Sequence, residues 1–441
     1  MANYLYEMAF RKEKKVDILS FGQTYVDYEK RIDIERMGKE RLDKVKAGIK
    51  KYNLGGLLAL DMPNIRYIVG SRPFIDVTVD RGGDRYALLP EGAEPILFEG
   101  GMNEGPGLPR PTHWWLGDRI KIGFSCAGYN APTEIAEAHE FQLRKFADQI
   151  KNELKAHRVL DETLGVVPDS RIMVDALEKV GIKVNPRKGF DLMRECREVK
   201  TVDEVECLRM ACSISEACTA EVKKAIRPGV TERQLAGIIA HKAYEMGSEG
   251  LSSFHVESGP HTWPNILSIT DRAIRPGDLI HCEIAVIYMG YKNCYYTGSY
   301  SCGRPTQAQK DAWVKAVDWT RAMVNAIRPG ATSKEIVEKM PSAKEFGYPD
   351  EDTSVMMQWC HGIGLSTPEW PSMHRAWSLT YPYPIKENMC LAVEAICPTW
   401  EKTVQYPNGQ ACRVEDDVHV TEDGIDWLTR WPRDEIMVCE V

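Results

Sequence analysis

From Gly277 to Cys294 the chain reads GDLIHCEIAVIYMGYKNC, and this run constrains the fold more than any other. Gly277-Asp278 is a turn signal. Leu279 to Met289 is mostly apolar and β-prone. Gly290-Tyr291 then breaks the run and a second short strand follows, which is the pattern of a hairpin. Such a hairpin brings one side chain from each strand to a common point. The two positions concerned, 11 residues apart, hold Glu283 and Cys294. Three later stretches supply partners: His361 in HGIGLSTPEWP, Glu394 in NMCLAVEAICP and Glu415 in CRVEDDVHVTEDG.

The rest of the chain reads as an ordinary folded protein of more than one domain. Its 441 residues are 43% hydrophobic and 27% charged. The net charge of −8, without a long basic run, argues against nucleic acid or an anionic membrane surface as partner. No apolar run is long enough to span a bilayer, and the N-terminus has no signal-peptide core. A cytoplasmic protein without a membrane partner is expected. The 13 cysteines form no CxxC pair or short disulfide framework, so reduced, mostly buried thiols are expected.

Residues 1–30 are polar and mixed and read as an arm. Ile34 to Lys51 has helical spacing (Met37, Leu42, Val45, Ile49), and LGGLLAL from Leu54 is a buried strand. A second element covers Ile65 to Val69. Tyr86 to Pro90 and Pro95 to Glu99 make a strand pair, and Lys121 to Phe124 is a further strand. Thr133 to His157 is helical, and a strand at Leu164 precedes a helix from Ile172 to Val180. This alternation predicts an α/β domain over residues 1–195. In the second domain, residues 196–441, Thr201 with Glu204 forms a capping box ahead of a long helix. AIRPGVTERQLAGII from Ala225 and AIRPGATSKEIVEKM from Ala326 form a weak repeat: helix end, Pro-Gly turn, Thr cap, helix. Two related copies predict a pseudo-symmetric α+β unit. A third AIRPG, at Ala273, leads into the hairpin strand.

Taken together, GDLIHCEIAVIYMGY, HGIGLSTPEWP, NMCLAVEAICP and CRVEDDVHVTEDG resemble the M24 pita-bread superfamily, which includes Xaa-Pro peptidases, creatinases and some dimethylsulfoniopropionate lyases. The first domain, with LGGLLALDMPNIRYIVG, resembles the creatinase N-terminal domain. SGPHTWPNILSITDRAIRPGD is similar to a run in the lyase branch. The resemblance implies an α/β domain followed by a pita-bread catalytic domain, and a homodimer. In metal-dependent members two Asp, one His and two Glu hold two divalent ions. The matching positions here are Glu283, Cys294, His361, Glu394 and Glu415. The chain departs from that pattern at both Asp positions. It departs again at Pro368, where the peptidases carry a second His.

Three readings follow. In the first, a divalent metal (Zn, Fe or Mn) is bound by Glu283, Cys294, His361, Glu394 and Glu415; a thiolate among the ligands favours softer ions. In the second there is no metal, and Glu283, Glu394 and Glu415 surround the cationic part of a small-molecule substrate. His361 or His255 then moves protons, with Glu394 and Glu415 in the catalytic set. Trp263, His261, Tyr295, Glu369 and Arg413 join Glu283 in substrate binding, and Tyr291, Tyr296, Trp359 and Trp370 offer further aromatic faces. Arg413 is expected to orient Glu415. In creatinase-like relatives the first domain also reaches the pocket, which brings in Arg66, Asp76 and Asp80. In the third reading the fold is a non-catalytic binding module. The favoured expectation is an enzyme cleaving a C–N or carbon–heteroatom bond of a small zwitterionic or cationic metabolite, creatinase-like hydrolysis first. A lyase acting on an onium carboxylate and an Xaa-Pro peptidase are the alternatives. No Gly-rich phosphate loop and no GxSxG elbow is present.

Overall fold

A computed structural model describes residues 32–70, 85–99, 114–124, 126, 131–264, 268–354 and 358–440. The expected arm, Asp76, Asp80 and the side chain of Trp359 lie outside the described residues. The chain forms two compact units, Met1–Cys196 and Arg197–Val441.

The first unit opens with α1 (Ile34–Lys51). Asp33 caps it by accepting from the Arg36 amide, and Met37, Arg41, Val45 and Ile49, each four residues apart, form its buried stripe. Next come β1 (Gly56–Ala59) and α2 (Met62–Val69), the latter a helix capped by Asp61, with Arg66 in its last turn. Strands β2 (Arg85–Pro90), β3 (Ile96–Glu99), β4 (Ile120–Ile122), β5 (Thr163–Val167) and β6 (Lys183–Asn185) complete a mixed sheet of order β4-β3-β2-β1-β5-β6. Helices α3 (Ala136–Ala156) and α4 (Arg171–Lys179) bury Phe146, Ile150, Met173 and Leu177 against Leu58, Tyr86, Phe98 and Val166. Helix α5 (Pro186–Glu198) and β6 were not anticipated. The helix lies so close to β5 that a Cβ on Gly189 would stand 2.5 Å from the Val166 carbonyl oxygen.

The second unit carries two similar halves. Helices α6 (Val202–Ala225) and α7 (Glu232–Glu245) each begin with a complete capping box, Thr201 with Glu204 and Thr231 with Gln234. They precede β7 (Gly250–Ser258), β8 (Leu279–Tyr288), β9 (Tyr291–Lys292) and β10 (Tyr296–Cys302). The second half repeats the order. Helices α8 (Gln307–Asn325) and α9 (Ser333–Val337) are capped by Thr306 with Gln309 and Thr332 with Glu335. They precede β11 (Gln358–Gly362), β12 (Glu369–Met373), β13 (Cys390–Pro398), β14 (Ala411–Thr421) and β15 (Gly424–Trp427). With β16 (Met437–Cys439) the strands form two sheets, β16-β10-β8-β7 and β12-β11-β13-β14-β15. Helix α6 covers β8, α8 covers β13 and β14, and β10 of one sheet lies against β14 of the other. This is the pseudo-symmetric α+β arrangement expected from the AIRPG repeat. Strands β8 and β13 are buried along nearly their whole length, because helices close one face and the opposite face turns into the molecule. All thirteen cysteines are buried, and none forms a disulfide. No described helix is long and apolar enough to cross a membrane.

Two glycines test this packing. Gly189→Ala is expected to lower stability by about 1–3 kcal/mol through overpacking. Gly38→Ala, inside α1 with nothing within 4 Å of the new Cβ, is expected to raise it by about 0.5–1 kcal/mol. Chemical denaturation reads both.

Candidate active site

The inward face of the second unit is built by strand register. On the first sheet Glu283 of β8 stands between His255 of β7 and Tyr296 of β10. On the second, Glu394 of β13 pairs directly with Glu415 of β14, and His361 of β11 lies opposite Ala392. Residues two apart on a strand share a face. Glu415 is therefore accompanied by Arg413 and Asp417, and Glu283 by His281.

The two sheets bring the side chains of Glu283, Cys294, His361, Glu394 and Glu415 into one buried cluster, linked as follows. Cys294 Sγ lies 3.7 Å from Glu283 Oε1, and His255 Nε2 lies 3.5 Å from Glu283 Oε2. His361 Nδ1 donates to its neighbour Gly362's carbonyl at 2.9 Å, and its Nε2 stands 3.8 Å from Glu415 Oε1. Glu415 Oε2 accepts the Tyr296 amide at 3.0 Å, while Oε1 is buried without a hydrogen bond. Arg413 does not orient Glu415 as expected. Its Nη2 and Nε reach diagonally across the strand pair to Glu394 Oε2, at 2.5 and 3.1 Å, and its guanidinium lies 3.7 Å above the Tyr296 ring.

The electrostatics follow from burial and an excess of acids. Burial raises the Glu415 carboxyl well above its ordinary range. Glu394, Asp417 and Glu283 add to the rise, and Arg413 opposes it. The Cys294 thiol is pushed up first by burial and then by Glu415, Glu283 and Glu394. Asp417, which the sequence reading missed, is also raised by burial. It accepts from Cys212 Sγ at 3.3 Å and from the Cys294 amide at 3.4 Å, and so holds the backbone of Cys294 in place. The alternation Arg413, Glu415, Asp417 along β14 is the signal that would have found it. A buried His281–Glu257 pair beside the Tyr296 ring was missed as well.

Five further expectations do not match the positions found. Glu369 does not line the cluster: its carboxylate is taken by Arg197 at 2.5 Å and Lys200 at 2.8 Å, all three side chains buried. Tyr295 points to the reverse of the sheet, where its hydroxyl accepts from Arg433, itself paired with Asp416. Trp263 packs in an apolar cluster with Phe346, Ile396 and Ala411. The ring of His261 is bound by Glu232 at 2.9 Å rather than by a carboxylate of the cluster. Tyr291 donates to Glu204, at the start of α6.

The donor atoms fit one ion. Ligand atoms of Cys294, His361 and Glu415 lie within 4.8 Å of one another, and the unpartnered Oε1 of Glu415 is among the groups turned inward. They do not reproduce the two-ion set, because Glu394 is held by Arg413 and a thiol stands where that set has a carboxylate.

Comparison with known proteins agrees with this architecture. Residues 206–422 match the model of metallopeptidase family M24. The chain is 26% identical over 326 residues to the Xaa-Pro dipeptidase of Pyrococcus furiosus, covering 72% of this chain and 86% of that one. It is 26% identical over 288 residues to the probable dipeptidase PepE of Mycobacterium tuberculosis strain H37Rv, covering 64% and 73%. Among solved structures, dipeptidase PepE from Mycobacterium ulcerans superposes with a TM-score of 0.68 at 23% identity, covering 93% of this chain and 100% of that one. The prolidase from Pyrococcus horikoshii superposes with 0.67 at 19%, covering 90% and 100%.

Two variants check the reassigned residues. Burial alone would raise the Glu369 carboxyl, but Lys200 and Arg197 outweigh it and hold it below its ordinary 4.5. The stabilisation is therefore present above that value and lost as pH falls through the lower native pKa. Glu369→Gln is expected to cost about 3–5 kcal/mol at neutral pH, with the gap to wild type narrowing below about pH 4. Tyr295→Phe is expected to cost about 1 kcal/mol through its lost hydrogen bond and to leave metal uptake unchanged.

Proposed function

We propose, for a chain whose C-terminal domain belongs to metallopeptidase family M24, that it is a metal-dependent hydrolase cleaving the amide C–N bond of a small, peptide-like molecule. The observation that carries this reading is the convergence of Cys294, His361 and Glu415 next to the His255–Glu283 pair. The printed names of the relatives, Xaa-Pro dipeptidase and probable dipeptidase, support a short peptide. They favour it over the creatinase-like hydrolysis and onium lyase readings, and they give no support to a non-peptide substrate.

Each group has a task in this reading. Cys294, His361 and Glu415 hold the ion, which when bound supplies a Lewis acid and an activated water. Glu283, outside that set, offers a carboxyl group to the ammonium of a dipeptide. His255, 3.5 Å from Glu283 and 23% exposed, is placed to pass a proton to the departing amine. With Pro368 where the family peptidases have a second His, His255 is the imidazole left for that proton. Arg413 holds Glu394 and keeps one negative charge compensated.

The test is a substrate panel with metal-replete protein: prolyl dipeptides, non-prolyl dipeptides, guanidino compounds and sulfonium carboxylates. Dipeptide hydrolysis that disappears on chelation and falls about 10²–10⁴-fold in His255→Ala is the expected result. Turnover of a guanidino or sulfonium compound, with all dipeptides left intact, would refute the reading.

A further inference from the structure

The partners of each acid show how the chain accommodates its departures from the two-ion set. Glu394 receives two nitrogens of Arg413, whose guanidinium is itself held over the Tyr296 ring. Glu283 is shared between His255 and the Cys294 thiol. Oε1 of Glu415 is buried without a hydrogen bond, as are Asp417 Oδ1, the Tyr296 hydroxyl and Arg413 Nη1 near it, and it has His361 Nε2 at 3.8 Å and Cys294 in the same 4.8 Å cluster.

We propose that this cluster binds a single thiophilic divalent ion, zinc or iron(II), through Cys294, His361 and Glu415, in place of a pair of hard ions. Charge balance favours one ion. A divalent cation with a thiolate and a carboxylate is neutral, Arg413 with Glu394 is neutral beside it, and Glu283 stands outside both sets against His255. A second dication would need Glu394, and would leave the buried Arg413 guanidinium unpaired next to an ion of like charge. Ligand chemistry points the same way. Thiolate, imidazole and carboxylate are a three-ligand set that zinc takes with a fourth position open, and the sulfur disfavours manganese. On binding, the thiol releases its proton to solvent and the sulfur lone pair forms the bond to the ion. The assignment refines the hydrolase reading, but its test needs no substrate, so the two fail separately.

The experiment is metal analysis of protein purified without added metal, followed by stripping and titration with cobalt(II). One equivalent per chain is expected, with an intense near-ultraviolet thiolate-to-cobalt band that is lost in Cys294→Ser. Glu394→Gln is expected to keep one equivalent, and Glu415→Gln to lose most of it. Two equivalents, a wild-type spectrum without the thiolate band, or loss of the ion in Glu394→Gln would each overturn the assignment. The wild-type titration decides even if a variant fails to fold. Cleavage of dipeptides by a two-ion protein would sink this inference alone. One bound ion without dipeptide turnover would sink only the substrate reading.

Discussion

The carboxyl groups of Glu283, Glu394 and Glu415 and the Cys294 thiol are buried together with one guanidinium, that of Arg413. That imbalance governs the catalytic domain. Buried anions without counter-charge are expensive, and a protein meets the cost by protonating them, pairing them or binding a cation. The first two responses are visible. Glu394 is paired with Arg413, Glu283 has His255 beside it, and Glu415 and Cys294 are pushed toward their protonated forms by burial and by their acidic neighbours.

The scaffold is arranged to keep the acids close. Glu394 and Glu415 are direct cross-strand partners on β13 and β14, a pairing that like charges disfavour. It survives because each is held by an outside donor, Arg413 for one and the Tyr296 amide for the other. Cys294 lies between β9 and β10, outside regular pairing, and Asp417 anchors its amide. Helices α6 and α8 press on the outer faces of β8 and β13, so the polar faces have nowhere to turn but toward each other.

Much of this was legible in the residues. The helical spacing of Met37, Leu42, Val45 and Ile49 predicted α1 with its observed limits. The Pro-Gly stops and Thr caps predicted the paired helices, and the hairpin after Gly277 formed where the turn signals stand. The five cluster residues were found because strand and motif order preserve their positions. What was hidden depended on contacts distant in sequence or on the face of an irregular strand. Glu369 meets Arg197 and Lys200, partners 172 and 169 residues away. Tyr295 and Tyr296 follow a loop and precede a register shift, so alternation did not say which faces inward. Arg413 shares a face with both Glu415 and the cross-strand Glu394, and only the diagonal geometry chose between them. Helix α5 begins at a proline and is rich in charged residues, but Leu192, Met193 and Cys196 form a buried stripe at helical spacing that would have revealed it.

The proposed arrangement is one thiolate-bound ion in place of a pair of hard ions. X-ray absorption at the edge of the ion found in the native protein tests it most directly. The account predicts one sulfur neighbour at about 2.3 Å with nitrogen or oxygen neighbours at about 2.0–2.2 Å, and no second metal. A metal–metal vector at about 3.5–4 Å, or a shell of oxygen and nitrogen alone, would contradict it.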